Sequence, residues 1–168
     1  MESKKYVWIF LFTGLLPLAL PAFVNGVVDP LQFYRRASYP PDFSLQQRHQ
    51  NPGLARNYPY DTVIIGSSLS ESLAPSHVDA VLGVHSVNLS FQGASAWEMS
   101  QILRVALRTG RVRRVLWCMD LFAFRGAAVR TPSEHGEFPY YLYDRNPFND
   151  VRYLLNLDVL RSSERILL

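Results

Sequence analysis

Hydrophobic and polar positions follow three regimes along the chain. From Tyr6 to Val28 the sequence YVWIFLFTGLLPLALPAFVNGVV carries no charge, after Lys4 and Lys5. Such a run is long enough to cross a hydrocarbon core of roughly 30 Å as a helix. The lysines ahead of it, with Arg35 and Arg36 following only later, predict an N-terminus inside and the rest outside. A cleaved signal peptide has the same basic start and apolar middle, but its small-x-small site would have to be Val24 and Gly26. A retained anchor over 1–28 is therefore the favoured expectation. Pro17 and Pro21 do not oppose it, because proline is tolerated in membrane spans.

Between residues 29 and 60 the periodicity is lost. Pro30, Pro40, Pro41, Pro52 and Pro59 interrupt any helical or alternating pattern, which predicts an extended connector. Its aromatic residues, among them Phe33, Tyr34 and Tyr60, imply that part of it packs on the domain that follows.

From Asp61 onward the pattern is regular. TVIIG is a short apolar strand of the kind buried on both faces. APSHVDAVLG predicts a short helix, with Pro75 in its first turn and Gly83 as its stop. VHSVNLS predicts a second strand. In SAWEMSQILRVALRTG, Ser95 and Glu98 have capping-box spacing, Trp97, Ile102, Val105 and Ala106 line one face, and Gly110 ends the helix. RVLWCM predicts a third strand, and NDVRYLLNLDVLRSSERILL a helix capped by Asn149 or Asp150. Strands alternating with helices across short joints specify a parallel sheet, because parallel neighbours need crossover connections. The expectation is an α/β domain over 61–168 with a parallel, three-layer, flavodoxin-like sheet. Three strands are fewer than such a sheet normally has, so the sheet is read as incomplete and the chain as the front part of a longer protein.

Composition narrows the chemistry. Seventeen basic against 14 acidic side chains do not describe a nucleic-acid binder. The densest cluster, RTGRVRR at 108–114, falls where cations favour a helix C-terminus, so it reads as a solvated turn, with contact to an anionic polymer or lipid headgroup as the alternative. Cys118 is the lone cysteine, so no intramolecular disulfide forms. No metal-ligand cluster and no nucleotide-binding glycine motif occurs, so neither a metal nor a cofactor is implied.

In open parallel sheets ligands bind beyond the carboxyl ends of the strands, where the strand order reverses. After the first strand come Gly66, Ser67 and Ser68; after the second come Ser90, Phe91, Gln92 and Gly93; after the third comes Asp120. VIIGSSLSES resembles the first block of the SGNH (GDSL-type) hydrolase superfamily, in which a strand runs into Gly-Asp-Ser. Ser68 takes the place of the nucleophilic serine, and Ser67 stands where Asp is common. VNLSFQGAS resembles the second block, with Gly93 matching the glycine whose N–H serves the oxyanion hole and Asn88 matching a polar residue ahead of it. WCMDLF falls at the third block, where only Asp120 remains and the oxyanion asparagine is absent. The stretch RHQNPGLARNYPYD and the Gly-Ser-Ser sequence resemble a membrane-anchored, exported bacterial group of the same superfamily.

The resemblance implies an SGNH-type fold and a serine esterase or acyltransferase on the extracytoplasmic side of the bacterial membrane. It implies an acylated envelope polysaccharide or related polymer as substrate, and identifies no protein partner. It also implies a histidine base from a C-terminal Asp-x-x-His, which this sequence does not contain. Of the four histidines, His49 lies in the connector, while His77 and His85 belong to elements that start away from the carboxyl edge. His135, in the loop after the third strand, is the remaining candidate. A non-catalytic module of the same fold, binding a glycan or a protein, is the alternative, and an anchored structural protein a third.

Overall fold

The computed structural model describes residues 2–39, 46–129 and 137–168. The chain divides into two compact units, one made of 1–30 with 146–168, the other of 31–145.

The second unit is built on three parallel strands: β1 (Thr62–Ile65), β2 (Ser86–Asn88) and β3 (Arg114–Trp117), in the order β2-β1-β3. Val63 pairs with Val87 on one side and with Val115 on the other. All four β1 residues are buried, as their unbroken apolar and β-branched run requires of a central strand. Burial of Ile64 and Ile65, both fully enclosed, contributes about 1.5–3 kcal/mol each. After β1 the chain makes a single helical turn, α3 (Ser68–Glu71), and then α4 (Pro75–Leu82), which starts on its proline and stops at Gly83. The next crossover is α5 (Ala96–Leu107). Its Ser95 side chain accepts from the Glu98 N–H while Glu98 accepts from the Ser95 N–H, the reciprocal cap its spacing predicts. Met99, Ile102 and Ala106 of α5 are buried, as are Leu89 and Phe91.

Residues 47–57, expected as extended connector, instead form α2 (Gln47–Asn57), packed on α5. Its buried residues mix Arg48, Gln50 and Asn51 with Pro52, Leu54 and Ala55, so no regular apolar stripe marks it in the sequence. Polar side chains go inside here because they meet polar partners: Asn51 donates to the Leu89 and Ser90 carbonyls at 2.9 and 3.2 Å.

The first unit holds α1 (Glu2–Val28), α6 (Val151–Leu154) and α7 (Leu157–Leu167). A continuous helix expected over the last 20 residues is broken at Asn156, which takes an extended conformation and caps a new helix, accepting from the Asp158 and Val159 N–H groups. The expected N-terminal transmembrane helix is also corrected: among the described residues, no helix is long and apolar enough to cross a membrane. The segment is helical, and its last turns have polar protein partners. Asn25, fully buried, donates to the Leu154 and Asn156 carbonyls at 2.8 and 3.1 Å and accepts from the Ser163 hydroxyl at 3.0 Å. Asp29, just past the helix, is buried and accepts from the Tyr153 hydroxyl at 2.7 Å.

Candidate active site at the carboxyl edge of the sheet

The three strand ends are stitched together by backbone hydrogen bonds. The Phe91 N–H donates to the Gly66 carbonyl at 3.2 Å, and the Cys118 N–H donates to the Ile65 carbonyl at 2.7 Å. Gly66 is required by this closeness: a Cβ there would strike the Ser70 hydroxyl and come within 3.0 Å of Cys118. Gly93 is required by its backbone instead, with φ of +64° and open space around the missing side chain.

Ser67 and Ser68 point to different fates. Ser67 is buried in an extended conformation and donates its hydroxyl to the Asp120 carboxylate. Ser68, next along the chain, is exposed, and its hydroxyl makes no hydrogen bond among the described residues. Ser70 is buried beneath the turn, donating to the Ser67 carbonyl at 2.8 Å and sharing a hydrogen bond with Ser90 at 3.0 Å. The strand end thus places two hydroxyls inward and leaves the one between them facing solvent.

The remaining candidates are held by neighbours. Asp120 accepts from Ser67 through Oδ2 and from the Ala123 N–H through Oδ1 at 2.8 Å, which caps the 3-10 turn Leu121–Phe124. Asn88 donates to the Ser70 and Leu73 carbonyls at 2.7 and 2.9 Å and accepts from the Ser90 N–H at 2.9 Å. Asp120 and Asn88 therefore tie together the loops that follow the strands. Gly93 is exposed, and its N–H makes no hydrogen bond among the described residues. His85 lies at the opposite, amino edge, where its carbonyl accepts from the Asp61 and Thr62 N–H groups at 2.9 and 3.0 Å. His77 is exposed on α4 and His49 half-buried on α2, while His135 lies outside the described residues.

The site rests on an ion pair that the hydropathy pattern does not signal. Arg48 makes a two-point contact with Glu98, Nε to Oε1 at 3.0 Å and Nη2 to Oε2 at 3.1 Å, and Nη1 donates to the Gln92 carbonyl at 3.1 Å. Its guanidinium lies 4.9 Å from the centre of the Phe91 ring. Arg48 thereby locks the loop that carries Gly93 to the start of α5, and the Tyr143 hydroxyl donates to the Arg48 carbonyl at 2.8 Å. Burial raises the Tyr143 pKa far above its ordinary value, so it remains a neutral donor. On the Ser68 turn, partial burial raises the Glu71 carboxyl, an effect the Arg48 charge offsets in part. The signal available in the sequence was the capping-box glutamate alone, since nothing in the 29–60 pattern pointed to Arg48 as its partner.

No known protein family, no curated protein and no solved structure matches this chain. The SGNH resemblance accordingly rests on the residues named above.

Proposed function

We propose that the chain is an SGNH-like serine hydrolase or acyltransferase whose nucleophile is Ser68, acting on acyl esters of a carbohydrate polymer. The observation that carries this reading is the isolation of Ser68: an exposed hydroxyl at the end of the central strand, between two strand ends, with its neighbours Ser67 and Ser70 turned inward. This is the position at which parallel sheets present reacting groups. Ser68 Oγ would bond to the ester carbonyl carbon as its proton passes to a base. The carbonyl oxygen would take up negative charge opposite the N–H groups of Ser68 and Gly93. Collapse of that intermediate breaks the ester bond, the alcohol leaves with the proton, and the acyl-serine passes its acyl group to water or to an acceptor hydroxyl. Each oxyanion donor of this kind contributes on the order of 3 kcal/mol. Asp120 does not furnish the base, being engaged by Ser67 and Ala123, and His135 is the candidate this chain offers.

The test is labelling of the purified full chain by a serine-reactive phosphonate. Labelling should be lost in Ser68→Ala with folding unchanged and strongly reduced in His135→Gln. Labelling that persists in Ser68→Ala rejects the nucleophile. The engagement of both Asp120 and Asn88 favours a second reading, a non-catalytic module that binds a glycan or protein at the same edge. That reading gains if glycan binding survives Ser68→Ala while the unmodified chain takes no label.

A further inference from the structure

The arginine-rich cluster at 108–114 is not absorbed by the Ser68 site. Helix α5 runs back toward the amino ends of the strands, so its last turn and the residues leading into β3 lie at the opposite edge. There Arg56, Val105, Arg108, Thr109, Arg111, Asp144 and Arg145 line a cavity of about 410 Å³, in the range that holds a small organic ligand.

Several of these guanidinium groups are fixed in place. Arg56 Nη2 donates to the Leu142 and Asp144 carbonyls at 2.9 and 2.8 Å, and its guanidinium lies 4.4 Å from the centre of the Phe33 ring. Arg108 Nη1 donates to the Tyr143 carbonyl at 2.8 Å. Arg111 Nη2 donates to the Arg56 carbonyl, and its guanidinium lies 5.3 Å from the centre of the Tyr60 ring. The Arg111 Nε donor is buried and has no hydrogen-bond partner among the described residues. Arg145 is exposed at the rim. The carbonyl oxygens that orient these cations carry no net charge of their own, and the lining holds four guanidinium groups and the carboxylate of Asp144. Charges gathered in a walled cavity act more strongly than on an open surface, and the guanidinium fork matches the paired oxygens of a phosphate.

We propose that this cavity is a binding site for a phosphate ester, separate from the Ser68 site and independent of the reaction assigned there. Four cations against one acid suit a group with two or more negative charges, and the volume leaves room for the organic part it is attached to.

Pyrophosphate is the probe, titrated into the full chain at constant ionic strength and followed by calorimetry and by the shift in melting temperature. The expected result is saturable binding that weakens roughly ten-fold or more in Arg108→Gln/Arg145→Gln. Asp144→Asn, which removes the opposing charge, should instead tighten binding a few-fold, a gain that misfolding cannot mimic. Absence of saturable binding, or equal binding by the double variant, overturns the proposal. A second arm adds vesicles of phosphatidylglycerol or of phosphatidylcholine. Competition with pyrophosphate by the anionic vesicles alone assigns the site to a lipid headgroup, and absence of competition assigns it to a soluble phosphate ester.

Discussion

At the carboxyl edge of the sheet, the buried guanidinium of Arg48 meets the carboxylate of Glu98 at two points, whereas at the amino edge Arg56, Arg108, Arg111 and Arg145 gather around a cavity with the acid of Asp144. The first arrangement satisfies its charges within the protein and leaves a neutral hydroxyl, Ser68, facing solvent. The second orients Arg56, Arg108 and Arg111 with carbonyl oxygens and aromatic rings, and its lining carries more basic than acidic side chains. Internal pairing of charge suits a site that positions a reacting atom, and a surplus suits a site that captures an anion. The largest test of this contrast is Glu98→Ala, which leaves Arg48 buried without its acid and removes half of the α5 cap. A loss of about 3–5 kcal/mol is expected in urea denaturation. A loss below about 1 kcal/mol would mean that water solvates Arg48, and the two edges would no longer differ in kind.

Next in size is Gly66→Ala. The added methyl would meet the Ser70 hydroxyl and the Cys118 backbone, both held in place by the strand ends. Overpacking of this sort costs about 1–3 kcal/mol. Because the turn that carries Ser68 must shift to admit the methyl, phosphonate labelling should fall with stability. Unchanged stability would show that the carboxyl edge is less tightly closed than the amino-edge cavity.

How much of this was legible in the sequence depended on where polar groups ended up. The strand TVII was readable from its unbroken apolar run, α5 from its apolar face and cap, and α4, none of whose residues is buried, from its proline start and glycine stop. Helix α2 was not, because Arg48, Gln50 and Asn51 share its buried side with Leu54 and Ala55, and the partners of Arg48 and Asn51 lie about 40 to 50 residues further along the chain. The run 6–28 misled in the opposite direction: it looks uniformly apolar, yet its end is fixed by Asn25, which a pattern of hydropathy weighs as one polar residue in a long apolar stretch. Ser68 was placed by its strand, but the division of labour between Ser67 and Ser68 needed the position of Asp120, 53 residues from Ser67.

A smaller effect, shared by both edges, appears with pH. Burial raises the pKa of Tyr143, and that of Tyr60 beside Arg111, above the ordinary 10.0 of a tyrosine. The folded state therefore keeps protons that the unfolded state releases. Stability from both groups is complete below pH 10.0 and is lost as pH rises above it. Tyr143→Phe removes one titrating group and the hydrogen bond to the Arg48 carbonyl. It should cost about 1 kcal/mol at neutral pH and make the alkaline decline shallower in denaturation curves recorded between pH 8 and 11. An unchanged alkaline slope would mean that Tyr143 ionises in the folded protein and is not sealed by the α2–α5 packing.

The smallest effect calibrates the rest. Arg161 and Asp158 on α7 meet at 3.0 Å, the same separation as Arg48 and Glu98 at their closest, but their side chains are 76% and 71% exposed against 8% and 0%. In water the attraction is weakened by the solvent dielectric and by salt, and holding two long side chains together costs entropy. Arg161→Ala should therefore change stability by less than about 0.5 kcal/mol. Raising the salt concentration should remove what remains of that difference, while leaving the Glu98→Ala loss nearly intact. Equal losses for the two pairs would show that contact distance outweighs burial in this protein. The distinction between a charge satisfied inside the fold and a charge offered to a ligand would then have to be drawn from geometry alone.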